Sequence, residues 1–559
     1  MSHATTLRTQ KLRFFFTILS VCFLPMIALG IPPVFVCSGS SASTYCQIMA
    51  VIMYIFLGIV IFQFAVLVGC AVVHLRRQQV TTETEAPPER HVVLIPCYGE
   101  EEDQIRTSME SIEETNYDND TLLMLFVVDG MVRGKGASKT TAEIVLVDVM
   151  HHPDVATIED ITDPPYAYDY ECAINHHHLP KNRVSVFHGT SPRGVPYMVL
   201  VKIGLSSDER AQGNRGKKDS IVLAMQLLRA AMTITDIMVS GHVADIHRLI
   251  VAAPMDLSLY THMMIIDADT AVEPHCFTIF QREFHADPEL LGMCGETRVI
   301  PSWNMLVMAQ KYEYWYSHIL LKSFEDTMFN VFVLSGCFSV YRLSDLLHPH
   351  ILSSFSTRCP SFGDEYTLRI ANILEIGEDR FLSMLLMRLY PEKRLGYTAK
   401  THCWTNVPET LRTLLCQRRR WTNSLIHCHH HLFSHPPDTR ILRKIRLWYA
   451  IVAELWTVYI LPPAIVIGLL LFGLGFLNFQ VTAWFIVLLI LGLFQSLAFA
   501  ILFLRLDLVP YWPAFFVTIP IFSFFVPLYS IWKSDALQWG RTRRLAKTPD
   551  VGRKWYATI

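Results

Sequence analysis

Long apolar runs lie near both ends of the chain, and a more polar region lies between them. Crossing a bilayer takes about 20 apolar residues, and five runs are long enough: 13–36, 48–74, 449–476, 479–505 and 511–532. Arg8 precedes the first run and Arg76 follows the second. Because positive residues favour the cytosolic side, we predict two N-terminal spans with both outer ends in the cytosol.

The last three runs leave the topology of the C-terminal part open. Three crossings would place residues 533–559 outside the cell, although the Lys and Arg content of that tail favours the cytosol. One run could instead be re-entrant or interfacial, broken by prolines such as Pro462 and Pro463. Glu454 is costly in lipid, so it either faces a polar conduit or snorkels near the start of its helix.

Short apolar runs alternate with helical stretches in the middle region. Strands are predicted at 91–95, 122–128, 185–188, 198–202 and 263–266, and a helix at 220–232. This alternation predicts an α/β domain with a mostly parallel, helix-covered sheet whose ligand loops lie at the carboxyl ends of its strands. Pro96, Asp129 and Asp267 all lie at such ends.

Composition agrees with a membrane protein that carries a water-soluble domain. Of the 559 residues, 51% are apolar and only 18% are charged, and the mean hydropathy is +0.30. These values are too apolar for an ordinary soluble protein of this size. The predicted division is a two-span region at 1–80, a cytosolic domain at 81–430 that starts with a linker, a second membrane region at 431–535 and a basic tail at 536–559.

Two acidic motifs carry candidate chemistry. The strand predicted at 263–266 ends in Asp267 and Asp269. Side chains alternate along a strand, so the second carboxylate can leave the tip and bind a hard divalent cation, while the first faces a nucleotide. Glu378 and Asp379 form a later acidic pair. One of them could be a general base, although a surface ion pair is the commoner explanation for such a segment.

A basic motif follows at residues 417–421, which read Gln-Arg-Arg-Arg-Trp. Three guanidinium groups beside an indole suit a diphosphate next to a sugar ring, because Arg forks bind phosphate oxygens and Trp offers a face for a pyranose. By charge alone, this run is typical of a basic patch that flanks a membrane. The histidine runs 176–178 and 429–431 are interpreted as solvated or interfacial residues rather than zinc ligands.

Taken in chain order, the motifs of this sequence resemble those of chitin synthases. They are residues 95–100 (IPCYGE), 127–130 (VVDG), 216–220 (GKKDS), 267–269 (DAD), 294–298 (CGETR), 377–380 (GEDR) and 417–421 (QRRRW). Stretches 310–318 and 334–342 resemble chitin synthase segments more than those of cellulose or hyaluronan synthases, and 539–543 resembles the family's late Trp-Gly motif. The resemblance covers residues 90–545.

The resemblance implies a membrane protein with an α-helical transmembrane bundle and a cytosolic glycosyltransferase-A-type α/β domain. It implies a plasma-membrane enzyme that processively transfers N-acetylglucosamine from UDP-N-acetylglucosamine to the 4-hydroxyl of a growing β-1,4 chain, with inversion. The product would leave through a channel in the region 431–535. The implied partners are the nucleotide sugar, the growing chitin chain and the lipid bilayer, with a homodimer left open and no nucleic acid expected.

The resemblance also implies roles residue by residue. The donor nucleotide is assigned to Pro96, Tyr98, Glu100, Asp129, Lys217, Asp219, Asp267 and Arg420. A Mg²⁺ or Mn²⁺ ion is assigned to Asp269, and Asp379 is assigned as the general base that takes the proton of the acceptor hydroxyl. The acceptor sugar is assigned to Gln417, Trp421 and Glu378.

Two departures from the family pattern concern backbone shape. Gly99 stands where the family usually has Asn or Thr, and Ser335 stands where Pro usually precedes the glycine. Neither departure removes a metal ligand or the base. Two alternative functions remain open: synthesis of hyaluronan or another β-linked polymer, and a catalytically silent membrane channel or scaffold.

Overall fold

The computed structural model describes residues 3–23, 44–80, 87–134, 136–164, 166–172, 181–205, 213–233, 255–357, 367–466 and 505–537. Within these ranges a ten-stranded sheet carries helices on both faces. Several sequence predictions lie outside the described residues: linker residues 81–86, nearly all of the run 479–505, the histidine run 176–178 and the Trp-Gly motif at 539–543.

The strands of the sheet are β1 His91–Cys97, β2 Leu122–Val128, β3 Ala167–Glu171, β4 Lys181–Thr190, β5 Pro196–Lys202, β6 His262–Ile266, β7 Ala271–Val272, β8 Leu290–Val299, β9 Phe338–Arg342 and β10 Arg394–Thr405. Their order across the sheet is β3-β4-β5-β2-β1-β6-β9-β8-β10-β7. Each strand predicted from the sequence lies within an observed strand. The predicted strand positions are therefore confirmed.

The sheet is mixed. Strand β1 pairs in parallel with β2 and β6, and β2 pairs in parallel with β5. Five of the nine strand pairings are antiparallel, so the prediction of a mostly parallel sheet is wrong. Part of the reason is the turn 191–195 between β4 and β5. It is too short for the crossover that a parallel pair requires, so β4 returns as a hairpin.

The α-helices are α1 His3–Ile18, α2 Thr44–Val80, α3 Glu102–Glu113, α4 Thr141–Glu143, α5 Ile158–Thr162, α6 Lys217–Thr233, α7 Cys276–Ala286, α8 Met305–Tyr316, α9 Ser323–Met328, α10 Leu343–Leu346, α11 Pro349–Phe355, α12 Leu368–Glu375, α13 Glu378–Leu389, α14 Leu411–Ser434, α15 Ile441–Tyr459, α16 Trp512–Pro520 and α17 Val526–Trp532. The helix predicted at 220–232 lies within α6. Short π-helical segments join α8 to α9 and α16 to α17.

Both faces of the central strands are buried, which explains their continuous apolar runs. Along β1, Val92 and Leu94 belong to one core, whereas Val93 and Ile95 belong to the other. Helix α6 packs into the first core and α3 into the second. A strand that is covered on both sides does not show the polar–apolar alternation of a half-exposed strand. This packing fixes the strand ends that carry the candidate site.

Among the described residues, one helical stretch, Leu506–Trp532, is long and apolar enough to cross a membrane. It contains the predicted run 511–532. The run 48–74 lies within α2, and the run 449–476 begins in α15. The predicted transmembrane bundle stays a prediction. In α15, Oε2 of the buried Glu454 lies 2.9 Å from Nε2 of His429, so this carboxylate faces protein rather than snorkelling.

Candidate active site

One side of the candidate site is built on the carboxyl ends of β1, β2 and β6. These strands are parallel neighbours, so the residues that follow them meet at one edge of the sheet. Asp129 follows β2, and its N–H donates to the carbonyl of Cys97 at 2.9 Å. Asp267 follows β6. Two of the carboxylates assigned to the donor nucleotide therefore share this edge.

The carboxylate of Asp129 is buried and engaged by the chain itself. Its Oδ1 accepts hydrogen bonds from Nζ of Lys202 and from the N–H of Arg215, both at 2.9 Å. Its Oδ2 accepts from the N–H of Gly216 at 2.8 Å. Asp129 thus fixes the loop that leads into α6. Its contact with a nucleotide stays a prediction.

Lys202 is a site residue that the sequence analysis missed. It is fully buried at the end of β5, and its Nζ lies 2.9 Å from both Asp129 Oδ1 and Asp219 Oδ2. Burial opposes its charge, but the two carboxylates raise its pKa above the ordinary lysine value. Asp219 also accepts from the hydroxyl of Tyr170 at 2.7 Å. The predicted donor residues Asp129 and Asp219 are thus joined by one buried ammonium group.

Lys217, the first residue of α6, reaches the end of β6. Its Nζ donates to Oδ1 of Asp267 and, at 2.7 Å, to the carbonyl of Gly336. Burial alone would lower the pKa of Lys217, but Asp267 raises it above the ordinary value. The Asp267 side chain is 40% exposed, so this ion pair borders open space. Asp269 lies in the following turn and is half-buried.

The loop after β1 explains one departure from the family pattern. Gly99 has a φ of +76°, a left-handed conformation that suits glycine. Its N–H donates to Oγ1 of Thr141 at 3.1 Å. The N–H of Tyr98 donates to the carboxylate of Glu100. Two residues assigned to the donor nucleotide are thus hydrogen-bonded to each other. Pro96 is half-buried within β1.

The other side of the site is built on helix ends. Gly377 precedes α13, and a Cβ at this position would lie 1.9 Å from Oγ of Ser424 in α14. Only a glycine allows this approach of the two segments. It brings Glu378 and Asp379, the first residues of α13, close to the Arg-rich part of α14. Asp379 is half-buried and its Oδ1 accepts from the N–H of Arg380 at 2.7 Å.

Gly336 lies between the two sides. A Cβ built on it would lie 3.3 Å from Nζ of Lys217 and 3.5 Å from Oδ2 of Asp379. Lys217, which is assigned to the donor nucleotide, and Asp379, the predicted base, therefore both lie next to this glycine. Ser335 turns the chain here, since its carbonyl accepts from the N–H of Phe338 at 3.0 Å.

Glu378 is buried beside the predicted base. Burial, and next the charge of Asp379, raise the pKa of Glu378 above its ordinary value. The positive charges of Lys217 and Arg420 oppose this shift only in part. Glu378 therefore favours the neutral form more than an exposed glutamate does, which fits an orienting role better than that of a charged base.

The three arginines of the basic motif point in three directions, because successive helical residues are about 100° apart. Arg418 makes a bidentate ion pair with Glu313 in α8, at 2.9 and 2.7 Å. Arg419 donates to the carbonyl of Ala536. Arg420 is buried, and while burial lowers its pKa, three carboxylates oppose the shift: those of Glu378, Asp379 and Asp267. Arg418 and Arg419 thus bind other groups of the protein, whereas Arg420 faces the carboxylates of the candidate site.

Trp421 and Gln417 lie four residues apart, on one face of α14. The Trp421 ring is 39% exposed and lies 4.5 Å from the guanidinium of Arg418, which also covers Phe522 of the candidate membrane helix at 5.6 Å. Within the described part of the chain, Oε1 of Gln417 has no hydrogen-bond partner. Arg418 therefore covers part of the indole, and the Gln417 oxygen is buried, so the contact of these two residues with an acceptor sugar stays a prediction.

The described residues hold no cluster of three or more His, Cys, Asp or Glu side chains that could bind a metal. Asp267 and Asp269 are the carboxylates nearest the strand end. Mg²⁺ and Mn²⁺ need no larger set of protein ligands, because Mg²⁺ in particular is usually bound by one or two carboxylates together with substrate phosphates and water. The residues present therefore fit a divalent cation that arrives with a nucleotide diphosphate.

Comparison with known proteins gives a consistent result. Residues 64–553 match a family model described as "Chitin synthase". Chitin synthase 4 of Exophiala dermatitidis is 32% identical over 503 residues, which cover 83% of this chain and 39% of that protein. Chitin synthase 3 of Saccharomyces cerevisiae is 30% identical over 493 residues, 81% of this chain and 40% of that protein. The chain thus spans about two fifths of the length of these relatives.

Among solved structures, a mannosyltransferase of Pyrobaculum calidifontis in complex with GDP-mannose and Mn²⁺ is similar to 85% of this chain. The match covers 98% of the mannosyltransferase with 14% identity and a TM-score of 0.43. This likeness is too distant to support an inference about substrate or metal.

Proposed function

Because this chain belongs to the chitin synthase family, we propose that it transfers N-acetylglucosamine from UDP-N-acetylglucosamine to the 4-hydroxyl of a growing β-1,4 chain. The transfer inverts the anomeric carbon and is processive. The product leaves through the C-terminal membrane region, so the enzyme is an integral membrane protein. In this proposal the membrane is the plasma membrane, and the catalytic domain lies in the cytosol.

The observation that carries the proposal is the meeting of two sets of groups at Gly336. Lys217, which is paired with Asp267 at the end of β6, donates to the carbonyl of this glycine, and Asp379 approaches it from the start of α13. A transfer reaction needs a nucleotide sugar and an acceptor in contact, and this arrangement offers one group of each kind within a few ångströms. Proximity of this type is a major source of rate enhancement.

The donor side binds UDP and stabilises its departure. Tyr98, Glu100 and Asp129 border the nucleotide, with Lys217 and Asp219 behind them. Arg420 supplies buried positive charge toward the diphosphate, and preorganised charge of this kind is often the largest contribution to such a step. A Mg²⁺ or Mn²⁺ ion held by Asp269 would supply further neutralisation of the diphosphate charge.

The acceptor side holds the sugar and removes its proton. Trp421 and Gln417 seat the terminal residue of the chain, and Glu378 orients the acidic segment. Asp379 takes the proton of the 4-hydroxyl as that oxygen attacks the anomeric carbon from the side opposite UDP. Attack opposite the leaving group converts an α-linked donor into a β-linked polymer.

The experiment is incorporation of labelled sugar from UDP-N-acetylglucosamine by the purified chain in detergent with Mg²⁺ or Mn²⁺, followed by chitinase digestion. We expect a chitinase-sensitive polymer from the wild type and none from Asp379→Asn. Product that forms only when UDP-glucuronate is added would assign hyaluronan synthesis instead. Absence of polymer from every donor, in protein that still binds UDP, would favour the silent channel or scaffold.

A further inference from the structure

A second lysine of the same motif, Lys218, lies next to Lys217 but contacts different segments of the chain. It is 4% exposed, and its Nζ donates to the carbonyl of Leu374 at 3.1 Å and to that of Thr357 at 3.2 Å. Leu374 lies in the last turn of α12, and Thr357 follows the end of α11. Carbonyls at helix ends lack donors of their own helix and carry the negative end of the dipole, so they suit a buried ammonium group.

Two aromatic rings complete the surroundings of this ammonium group. Nζ of Lys218 lies 5.3 Å from the ring of Phe381 and 5.7 Å from that of Phe355. These distances are within the range of cation–π attraction. Phe381 is two residues after Asp379, and Leu374 is three residues before Gly377. Lys218 therefore contacts the chain on both sides of the segment that carries the predicted base.

The two neighbouring lysines join the two halves of the site through one helical turn. Lys217 holds Asp267 and the Gly336 carbonyl on the donor side. Lys218 holds the ends of α12 and α11 and the first turn of α13 on the acceptor side. Because both lysines lie in the first turn of α6, the rigid helix backbone fixes the distance between their contacts.

We propose that Lys218 is a positioning residue that sets the place of Asp379 relative to the donor sugar. It acts through the segments around Asp379 and does not touch substrate. This inference rests on the proposed function, because it concerns the step in which Asp379 removes the proton. A displacement of about 1 Å at a reacting group can cost about 100-fold in rate.

The test is the steady-state kinetics of Lys218→Met, with UDP affinity measured on the same preparation. We expect kcat to fall 10- to 100-fold by loss of alignment, while the KM for UDP-N-acetylglucosamine and the Kd for UDP stay within about twofold. Lys218→Arg should recover most of the kcat, because a guanidinium can donate to the same two carbonyls.

The matched control is Arg229→Met. Arg229 lies further along the same helix and donates to the carbonyl of Leu347 at 2.5 Å, away from Asp379. We expect this change to lower stability without a selective loss of kcat.

An unchanged kcat in Lys218→Met, or a loss that Arg229→Met reproduces, would overturn the positioning role while polymer synthesis by the wild type stands. If Lys218→Met does not fold, Lys218→Arg decides: a kcat near that of the wild type supports the proposal, and a loss shared with Arg229→Met contradicts it. Absence of polymer from the wild type would overturn the proposed function, and the inference with it.

Discussion

The two sides of the candidate site are built in different ways. On the donor side, buried lysines neutralise carboxylates: Lys202 contacts both Asp129, which follows β2, and Asp219, which lies in the first turn of α6. On the acceptor side, Glu378 and Asp379 begin a helix whose position depends on the close contact of Gly377 with Ser424. Charge pairing secures the first side and steric fit between helices secures the second. We therefore expect a substitution on one side of the site to leave the other side intact.

The largest effect should follow the loss of charge pairing on the donor side. Lys202→Met leaves Asp129 and Asp219 buried near each other without their ammonium group. Breaking a buried pair in this way costs about 3–5 kcal/mol of unfolding free energy, measurable by denaturant unfolding in detergent. Lys139→Met is the control, since the Lys139 side chain, which pairs with Asp148, is 46% exposed, and the unfolding midpoint of this variant should stay close to that of the wild type. Wild-type stability in Lys202→Met would contradict the donor-side account.

A steric change at Gly377 should disturb the acceptor side and leave the donor side unchanged. In Gly377→Ala the new Cβ would meet Ser424 at 1.9 Å, so α13 must shift and carry Asp379 with it. We expect incorporation to fall about 100-fold while UDP affinity is kept. Ser424→Gly in the same chain should restore part of the activity. Gly69→Ala is the control, because its Cβ would meet nothing within 4 Å. Equal losses of UDP affinity and incorporation in Gly377→Ala would show that the two sides are not separable.

The smallest effect concerns the pH dependence of stability. Burial raises the pKa of Glu378 above its ordinary value of 4.5, so the folded state holds a proton that the unfolded state releases. Between the two pKa values, stability must therefore fall as pH rises. Each pKa unit of difference corresponds to about 1.4 kcal/mol. Glu378→Gln should remove this part of the pH dependence and reduce activity less than tenfold. A pH profile of unfolding identical to that of the wild type would contradict the raised pKa.

Sequence reasoning predicted the donor side better than the acceptor side. Apolar runs locate β1, β2 and β6 because these strands are buried on both faces, and the acids that follow them must then share an edge. The antiparallel pairings were not predicted, since pairing direction depends on the connections and β9 and β8 carry no distinctive pattern. Lys202 was missed because a lysine at the end of an apolar run also suits an exposed strand end.

The acceptor side depends on contacts between distant segments, which no local pattern records. The run of three arginines predicts a phosphate site, yet only the helical phase decides that Arg420 faces the acids while Arg418 binds Glu313. The need for glycine at Gly377 follows from Ser424 in another helix. The residues of this side were found through the resemblance to chitin synthases, and the structure supplies the physical reason for their proximity.

The most direct test of the central claim is the equilibrium dissociation constant of UDP for Asp379→Asn, measured beside that of the wild type in the presence of Mg²⁺. If the two sides are separate, the variant that makes no polymer will bind UDP at least as tightly as the wild type, because a negative charge near the diphosphate has been removed. Loss of UDP binding in parallel with loss of polymer would contradict the claim that Asp379 belongs to the acceptor side.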